Sequence, residues 1–154
     1  MNPVVDYIVE EVRRQGHDVH AFDGIQRVGW MLDGWCYALI ACTGHVRNPD
    51  IGDAKSLGML VEPAKNQNGF RRVPVRVGTQ SCPDFAAIPR LLTLLFEQRD
   101  SLSPIEFYKA FEEIHPFVDG NGRTGKILLN WLNGSLLNPI FPPNDLFGTP
   151  ILNP

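Results

Sequence analysis

One stretch of twelve residues holds most of the side chains that could do chemistry. It reads His-Pro-Phe-Val-Asp-Gly-Asn-Gly-Arg-Thr-Gly-Lys and runs from His115 to Lys126. The glycine-rich part separates two predicted helices, so the first backbone N–H groups of the second helix lack an intrahelical partner and adjoin the positive end of its dipole. Such a point binds anions, phosphate in particular. The sequence therefore predicts a phosphate site between residues 115 and 126.

The side chains of this stretch fit the same chemistry. Asn121 can donate from its amide, Arg123 can fork onto phosphate oxygens, and Lys126 adds a point charge one turn later. Asp119 would repel a phosphate unless a cation stood between them, which favours Mg²⁺ bridging the carboxylate and the phosphate. His115 is a candidate base, because an ordinary imidazole pKa near 6.5 suits proton removal at neutral pH.

A P-loop is a competing interpretation of these residues. Gly120, Gly125 and Lys126 match G-x-x-x-x-G-K, but Ile127 stands where a P-loop needs Ser or Thr to hold Mg²⁺. The residues just before the loop, 111–114, are predicted to be helical, whereas a P-loop follows a buried strand. Both departures disfavour a P-loop.

The order of residues in this stretch closely resembles the signature of the Fic family, whose members transfer nucleotide or phosphate-containing groups to hydroxyls of target proteins. The wider resemblance covers roughly residues 50–136 and implies a mainly α, Fic-type helical domain with a small β-hairpin flap. It implies that His115 is the general base, that Asp119 holds magnesium and that Phe117 packs inward. The implied nucleotide-binding set is Gly120, Asn121, Gly122, Arg123 and Lys126, with Arg123 also catalytic.

Gly122 and Lys126 bear on which reaction the resemblance implies. Gly122 resembles the adenylylating branch, since the phosphotransferase branch carries a lysine there. This implies transfer of AMP from Mg²⁺·ATP to a Ser, Thr or Tyr hydroxyl of a target protein. Lys126 departs from the family's usual second arginine and loses its bidentate geometry. Two alternatives stay open: phosphotransfer or transfer of another nucleotide-derived group by the same motif, and a catalytically degenerate binding module.

Many members of the family are restrained by a helix with the pattern Ser/Thr-x-x-x-Glu-Gly/Asn. No glutamate follows Glu113 in this sequence, so we expect no C-terminal copy of this brake. The one Ser/Thr-x-x-x-Glu match is Thr93 to Glu97, which we interpret as a coincidental surface feature. The sequence therefore predicts either an unrestrained protein or one restrained by a separate, antitoxin-like chain.

A basic segment precedes the motif. Between residues 65 and 78, valines alternate with arginines, which predicts a β-hairpin with its turn near Asn68-Gly69. In a protein of net charge -3 this segment is locally basic. A solvated strand face is the simplest interpretation; the resemblance implies instead a flap that positions the target through Phe70, Arg71, Arg72, Val73 and Val75.

Apolar periodicity and capping signals predict the helices that position the loop. The predicted helices are one from Pro3 to about Gly16, a largely buried central one over Ile25–Cys42, Ile51–Val61, one starting at Pro83-Asp84, Pro104–Ile114 with Ser103 as its cap, and Arg123–Leu136. The proline-rich tail that follows is apolar, which predicts that it packs on the domain in an extended form.

Length and composition predict one domain over residues 1–154, with the recognisable core at about 50–136, N-terminal helices in 1–48 and the tail in 138–154. The net charge of -3 disfavours a nucleic-acid partner. No apolar run approaches the roughly 20 residues of a membrane span. Three cysteines without metal-ligand spacing indicate reduced thiols. We therefore expect a cytoplasmic protein, or one that acts in the cytosol of a host cell, with a target protein as its partner.

Overall fold

The computed structural model describes residues 2–147 and confirms a mainly α protein with a small hairpin. Within these residues there are six α-helices and one two-stranded antiparallel sheet. None of these helices combines the length and the apolar character that crossing a membrane requires. The elements are α1 (Pro3–Arg14), α2 (Phe22–Ala41), α3 (Ile51–Val61), β1 (Arg76–Val77), β2 (Gln80–Ser81), α4 (Ile88–Glu97), α5 (Pro104–Ile114) and α6 (Asn121–Leu132), with short 3₁₀ turns at Phe85–Ala87 and Arg99–Ser101.

Local capping signals account for the helix starts. Asn2 Oδ1 accepts from the backbone N–H of Val4 at 2.9 Å, one residue after the Pro that begins α1. At α5, Ser103 Oγ accepts from the N–H of Glu106 at 3.1 Å while Glu106 Oε1 accepts from the N–H of Ser103 at 2.8 Å. The predicted bounds of α3 and α5 are confirmed. Both helices begin with a capping box, formed at α3 by Asp50 and Asp53, so the signal lies within three residues of the helix start.

The central helix is α6. It contacts α2, α3 and α5, and it is buried at every position from Arg123 to Trp131. The prediction that α2 is largely buried is wrong, since α2 contacts α1, α3 and α6 through one stripe around Met31 and Trp35 and leaves Phe22 and Ile40 more than two-thirds exposed. Average apolarity is misleading here, because α6 carries buried polar side chains that find partners inside the protein.

The hairpin lies later in the chain than predicted. Arg76 pairs with Ser81 and Val77 with Gln80, so the hairpin turns at Gly78-Thr79. A turn is also present just before Gly69, whose N–H donates to Asn66 O at 3.0 Å, but it does not connect β1 and β2, so its predicted role as the hairpin turn is wrong. The preceding residues, 70–75, are held by the motif loop instead of by a strand: the N–H of Arg71 donates to Pro116 O at 2.8 Å.

The chain after α6 packs on α1. The last helix ends at Leu132, four residues before the predicted end. Leu136 is buried, and the ring of Phe141 stacks on that of Tyr7 with centroids 4.0 Å apart. Tyr7 Oη donates to Ile140 O at 2.8 Å. The predicted packing of the tail is confirmed for this part; its last seven residues, 148–154, lie outside the described residues.

Candidate active site in the α5–α6 loop

Two left-handed residues bound the loop that carries the motif. His115 ends α5 with φ 53°, and Gly120 precedes α6 with φ 75°. Between them Phe117 is fully buried, and its ring packs against Gly58 of α3. A Cβ added at Gly58 would lie 2.1 Å from this ring, so only glycine leaves room for it. The inward packing expected of Phe117 is thus present, and it pins the loop to α3.

Asn121 closes the same loop from within. Its Oδ1 accepts from the N–H of Phe117 at 2.8 Å, and its Nδ2 donates to Phe117 O at 2.9 Å. The sequence-based expectation that this amide donates to a phosphate needs correction, because both of its ends are used inside the loop. The backbone N–H of Asn121 has no intrahelical partner and can still donate to an anion.

The N-terminus of α6 has the properties of the predicted anion site. No side chain caps it, and by helix geometry the N–H groups of Asn121, Gly122 and Arg123 lack an intrahelical partner. Gly122 faces the end of α1, where an added Cβ would lie 3.2 Å from Gln15 Nε2. A phosphate oxygen could therefore approach the main chain here more closely than any side chain would allow.

His115 is set up as a neutral base. Its Nδ1 lies 3.2 Å from Glu112 O, which can only accept, so Nδ1 carries the proton and Nε2 is the basic atom. Burial lowers the pKa of His115 below its ordinary value, and the charge of Arg71 adds to this; the Glu112 carbonyl and Asp119 oppose it. His115 lines a cavity of about 1030 Å³ together with Cys82 and Pro83, which follow the hairpin.

Asp119 accepts two hydrogen bonds beside the start of α6. Its Oδ2 lies 2.9 Å from Lys65 Nζ, and its Oδ1 accepts from the N–H of Gly120 at 2.7 Å. Burial alone would raise the pKa of Asp119, but Lys65, the Gly120 N–H and Arg123 together hold it below its ordinary value. The carboxylate is therefore ionised at neutral pH.

A magnesium ion fits this carboxylate only together with a substrate. No cluster of three or more His, Cys, Asp or Glu side chains occurs among residues 2–147 that could hold a metal alone. Mg²⁺ commonly binds through one or two carboxylates plus substrate phosphates. Asp119, partly exposed beside the uncapped start of α6, supplies the protein's share of such a set.

The sequence suggested that Arg123 forks onto phosphate oxygens, but the structure places its guanidinium in the protein interior. Its guanidinium is 2% exposed; one terminal nitrogen lies 3.1 Å from Glu62 Oε2 and the other 3.6 Å from Asp119 Oδ1. Glu62 is itself fully buried and also contacts Arg27 at 3.4 Å. Arg123 therefore supports Asp119 and the start of α6 from the protein interior. Glu62, which pairs with Arg123, lies outside the motif and was not identified from the sequence.

Lys126 is paired with a residue from the other end of the chain. Its Nζ donates to Glu11 Oε2 at 2.9 Å and to Tyr108 Oη at 3.3 Å. Glu11 lies on α1. Its pairing with Lys126 is the one that the resemblance assigns to the brake glutamate. The sequence missed it because Tyr7 stands where the brake pattern has Ser or Thr. A second carboxylate, Glu112, is close by; burial raises its pKa to about 7, Glu11 adds to the rise and Lys126 opposes it.

The predicted flap residues divide into buried and exposed ones. Phe70 packs on Phe117 with ring centroids 5.3 Å apart, and Arg71 is buried against the end of α5. Arg72 and Val73 are exposed, and Val75 O accepts from the N–H of Cys82 at 3.2 Å. Only the exposed part of this set is accessible to a target.

The family is shown by comparison with known proteins. The profile of the Fic/DOC family matches residues 51–133, more than half of the chain. The protein therefore belongs to the Fic/DOC family. A crystal structure of a Fic family protein from Desulfovibrio desulfuricans G20 superposes with a TM-score of 0.60 at 19% identity, covering 86% of this chain and 46% of that one. At this identity the likeness establishes the fold alone.

Relatives with assigned activities match part of the chain. Protein adenylyltransferase Fic of Drosophila grimshawi is 38% identical over 84 residues, and that of Drosophila mojavensis is 40% identical over 84 residues. Both matches cover 48% of this chain but only 17% and 16% of the relatives. A probable protein adenylyltransferase of Aquifex aeolicus is 56% identical over 39 residues, 24% of this chain and 12% of its own. The chain thus spans less than a fifth of the length of these relatives.

Proposed function

We propose that this protein is an adenylyltransferase that moves AMP from ATP to a Ser, Thr or Tyr hydroxyl of a target protein. The observation that carries the proposal is a neutral histidine with a basic Nε2, six residues before the uncapped start of α6. The named activity of the Drosophila relatives supports the choice of ATP. The absence of a lysine side chain at Gly122 favours AMP transfer over phosphotransfer.

The phosphates of ATP would lie at the start of α6. The backbone N–H groups of Asn121, Gly122 and Arg123 lack an intrahelical partner and lie at the positive end of the helix dipole. Fixed donors of this kind stabilise charge that develops on a leaving group, because they need no reorganisation during the reaction. Pyrophosphate is the group that leaves when the α-phosphorus is attacked.

His115 would act as the general base. Its Nε2 accepts the proton of the target hydroxyl as that oxygen bonds to the α-phosphorus and the bond from the α-phosphorus to the leaving pyrophosphate breaks. A base of this kind contributes on the order of 10²–10⁴ in rate. Magnesium, held by Asp119 and the phosphates, would supply neutralisation of phosphate charge.

The experiment that tests this is labelling of target proteins in a cell lysate with ATP that carries the label on either the α- or the γ-phosphate. We expect protein-bound label from the α-phosphate only. Label from the γ-phosphate only would mean phosphotransfer, and no label from either would favour a binding module; both results contradict the proposal.

Paired histidine variants make the test specific. His115→Ala should abolish labelling while the circular dichroism spectrum stays that of the wild type. His45→Ala removes an exposed histidine outside the motif and should label as the wild type does. Equal labelling by the two variants would contradict the assignment of His115 as base.

A further inference from the structure

Arg71 is a buried cation held by main-chain carbonyls. Its side chain is 3% exposed, and none of the ion pairs found among residues 2–147 includes it. Its guanidinium instead donates to main-chain carbonyls at the end of α5 and in the hairpin segment. These are His115 O at 2.7 Å, Pro83 O at 2.7 Å, Val73 O at 3.0 Å and Ile114 O at 3.4 Å.

Two of these carbonyls end α5. The last C=O groups of a helix have no intrahelical partner and carry the negative end of its dipole. They therefore provide the compensation that a buried guanidinium needs in place of a carboxylate. Arg71 therefore caps the C-terminus of α5 at His115, whose side chain is the candidate base.

The backbone of His115 requires such support. Its φ of 53° lies in the left-handed region, and it is the single non-glycine residue with a positive φ among residues 2–147. Side chains other than glycine adopt this region at a cost and stay there only when surrounding contacts hold them. Arg71 Nε holds the carbonyl of His115, and the N–H of Arg71 holds the next carbonyl, Pro116 O at 2.8 Å.

The other two carbonyls belong to the hairpin segment. Val73 lies just before β1 and Pro83 just after β2, so one guanidinium joins both ends of the hairpin to the loop. The hairpin and His115 thus share an anchor. A displacement of the hairpin would be transmitted to the main chain of His115 through Arg71.

We propose that Arg71 is the positioning residue of His115: it fixes the left-handed backbone from which the imidazole projects and couples that imidazole to the hairpin. Its place in catalysis rests on the proposed function, in which His115 is the base. Sequence resemblance assigned Arg71 to target contact, and the structure assigns it to the interior instead.

The charge of Arg71 gives this role a measurable signature. The titratable and charged groups that face His115 are Arg71 from the hairpin segment, Asp119 from its own loop, and the α5 side chains that line the same cavity, Lys109, Glu112 and Glu113. Burial lowers the pKa of His115 first and Arg71 lowers it further. Arg71→Gln should therefore raise the pKa of His115, whereas Arg71→Lys should keep it low while losing the planar set of donors.

The first measurement uses the wild-type protein labelled with ¹⁵N. The Nε–H of Arg71, hydrogen-bonded inside the protein, should exchange slowly with water, and its chemical shift should change with the same midpoint as the His115 ring. The exposed Arg72 is the internal comparison. If the Nε–H of Arg71 exchanges as fast as that of Arg72, the proposal is overturned whether or not any variant folds.

The second measurement compares variants. Arg71→Gln should shift the His115 titration upward, and Arg76→Gln, which removes the same charge from exposed β1, should leave it unchanged. Arg71→Lys should lower kcat of AMP transfer by about tenfold to a hundredfold with KM for ATP unchanged, as expected when a reacting group is misplaced. A His115 titration in Arg71→Gln identical to the wild type overturns the proposal.

The outcomes separate this inference from the proposed function. If His115 titration depends on Arg71 but no AMP is transferred, the positioning role stands and the proposed function fails. If AMP transfer needs His115 but neither its titration nor kcat responds to Arg71, the proposed function stands and the positioning role fails.

Discussion

Arg123 and Lys126, the two basic residues in the first two turns of α6, differ in the ratio of cations to carboxylates around them. Arg123 belongs to an arginine network in which cations and carboxylates alternate: Arg27, Glu62, Arg123, Asp119 and Lys65. Lys126 belongs to a lysine cluster in which one ammonium is close to two carboxylates, Glu11 and Glu112, with Tyr108 beside it.

The difference separates a fixed part of the site from an adjustable one. In the arginine network Glu62 and Asp119 each lie between two cations, and Asp23 also pairs with Arg27. Three cations therefore face three carboxylates, and the arrangement holds Asp119 in place. In the lysine cluster one carboxylate is in excess, and the pKa of Glu112 near 7 means that it holds a proton part of the time at neutral pH. A bound phosphate or a change of pH would therefore alter the lysine cluster first.

The largest effect is expected from Glu62→Gln in the arginine network. The change leaves Arg27 and Arg123 buried without their shared counter-charge, which should lower the free energy of unfolding by about 3–5 kcal/mol. Urea denaturation followed by circular dichroism measures it. A loss below about 1 kcal/mol would mean that the network is not a fixed framework.

Glu112→Gln should change how stability depends on pH. Between pH 4.5 and about 7, Glu112 keeps its proton in the folded wild type but has lost it in the unfolded chain. The free energy of unfolding therefore falls as pH rises through this range. The variant should lack this contribution and be more stable than the wild type at pH 8 by on the order of 2 kcal/mol. Thermal unfolding of both proteins from pH 5 to 8 measures it, and parallel curves would contradict the expectation.

Glu11→Gln should strengthen nucleotide binding. Glu11 Oε2 lies 3.8 Å from the position a Cβ would take on Gly122, so its charge opposes a phosphate at the start of α6. Removing one such charge is expected to tighten binding of a non-hydrolysable ATP analogue about tenfold, as measured by calorimetry.

The matched control is Glu10→Gln, which alters the neighbouring glutamate of α1, where Arg13 and Arg14 hold its side chain. This variant should bind the analogue as the wild type does. An unchanged affinity in Glu11→Gln would show that Glu11 does not restrain the anion site.

The smallest effect is expected from Glu97→Ala. Glu97 and Thr93 are both exposed on α4, and Thr93 Oγ1 donates to Pro89 O within its own helix. The stability should change by less than about 0.5 kcal/mol, and the affinity for the ATP analogue should not change. A marked gain in affinity would revive the Thr93–Glu97 match as a brake.

Features set by neighbouring residues could be predicted from the sequence. Pro104 at the start of α5, with Ser103 and Glu106 around it, determines that helix within four residues, and its bounds were correct. The motif loop was located correctly for the same reason, since its glycines and its histidine are contiguous. The uncapped start of α6, where we propose that phosphate binds, follows from that local order.

Partners distant along the chain could not be predicted. Lys126 pairs with Glu11 across 115 residues, and Arg71 reaches His115 across 44 residues. Asn121 and Arg123 could serve a phosphate or the protein interior equally well by residue type, and only packing decides between them. The hairpin was misplaced because residues 70–75 have the alternation of a strand but form none, and the N–H of Arg71 donates to Pro116 O of the motif loop instead.

The central claim, AMP transfer with His115 as base, is tested most directly by the mass of the product. A target protein identified by labelling is incubated with this protein and unlabelled ATP, and its intact mass and fragment masses are measured. We expect a gain of one adenosine monophosphate group on a hydroxyl side chain with the wild type and no gain with His115→Ala. A gain of a phosphate group instead, or an equal AMP gain with His115→Ala, would contradict the central claim.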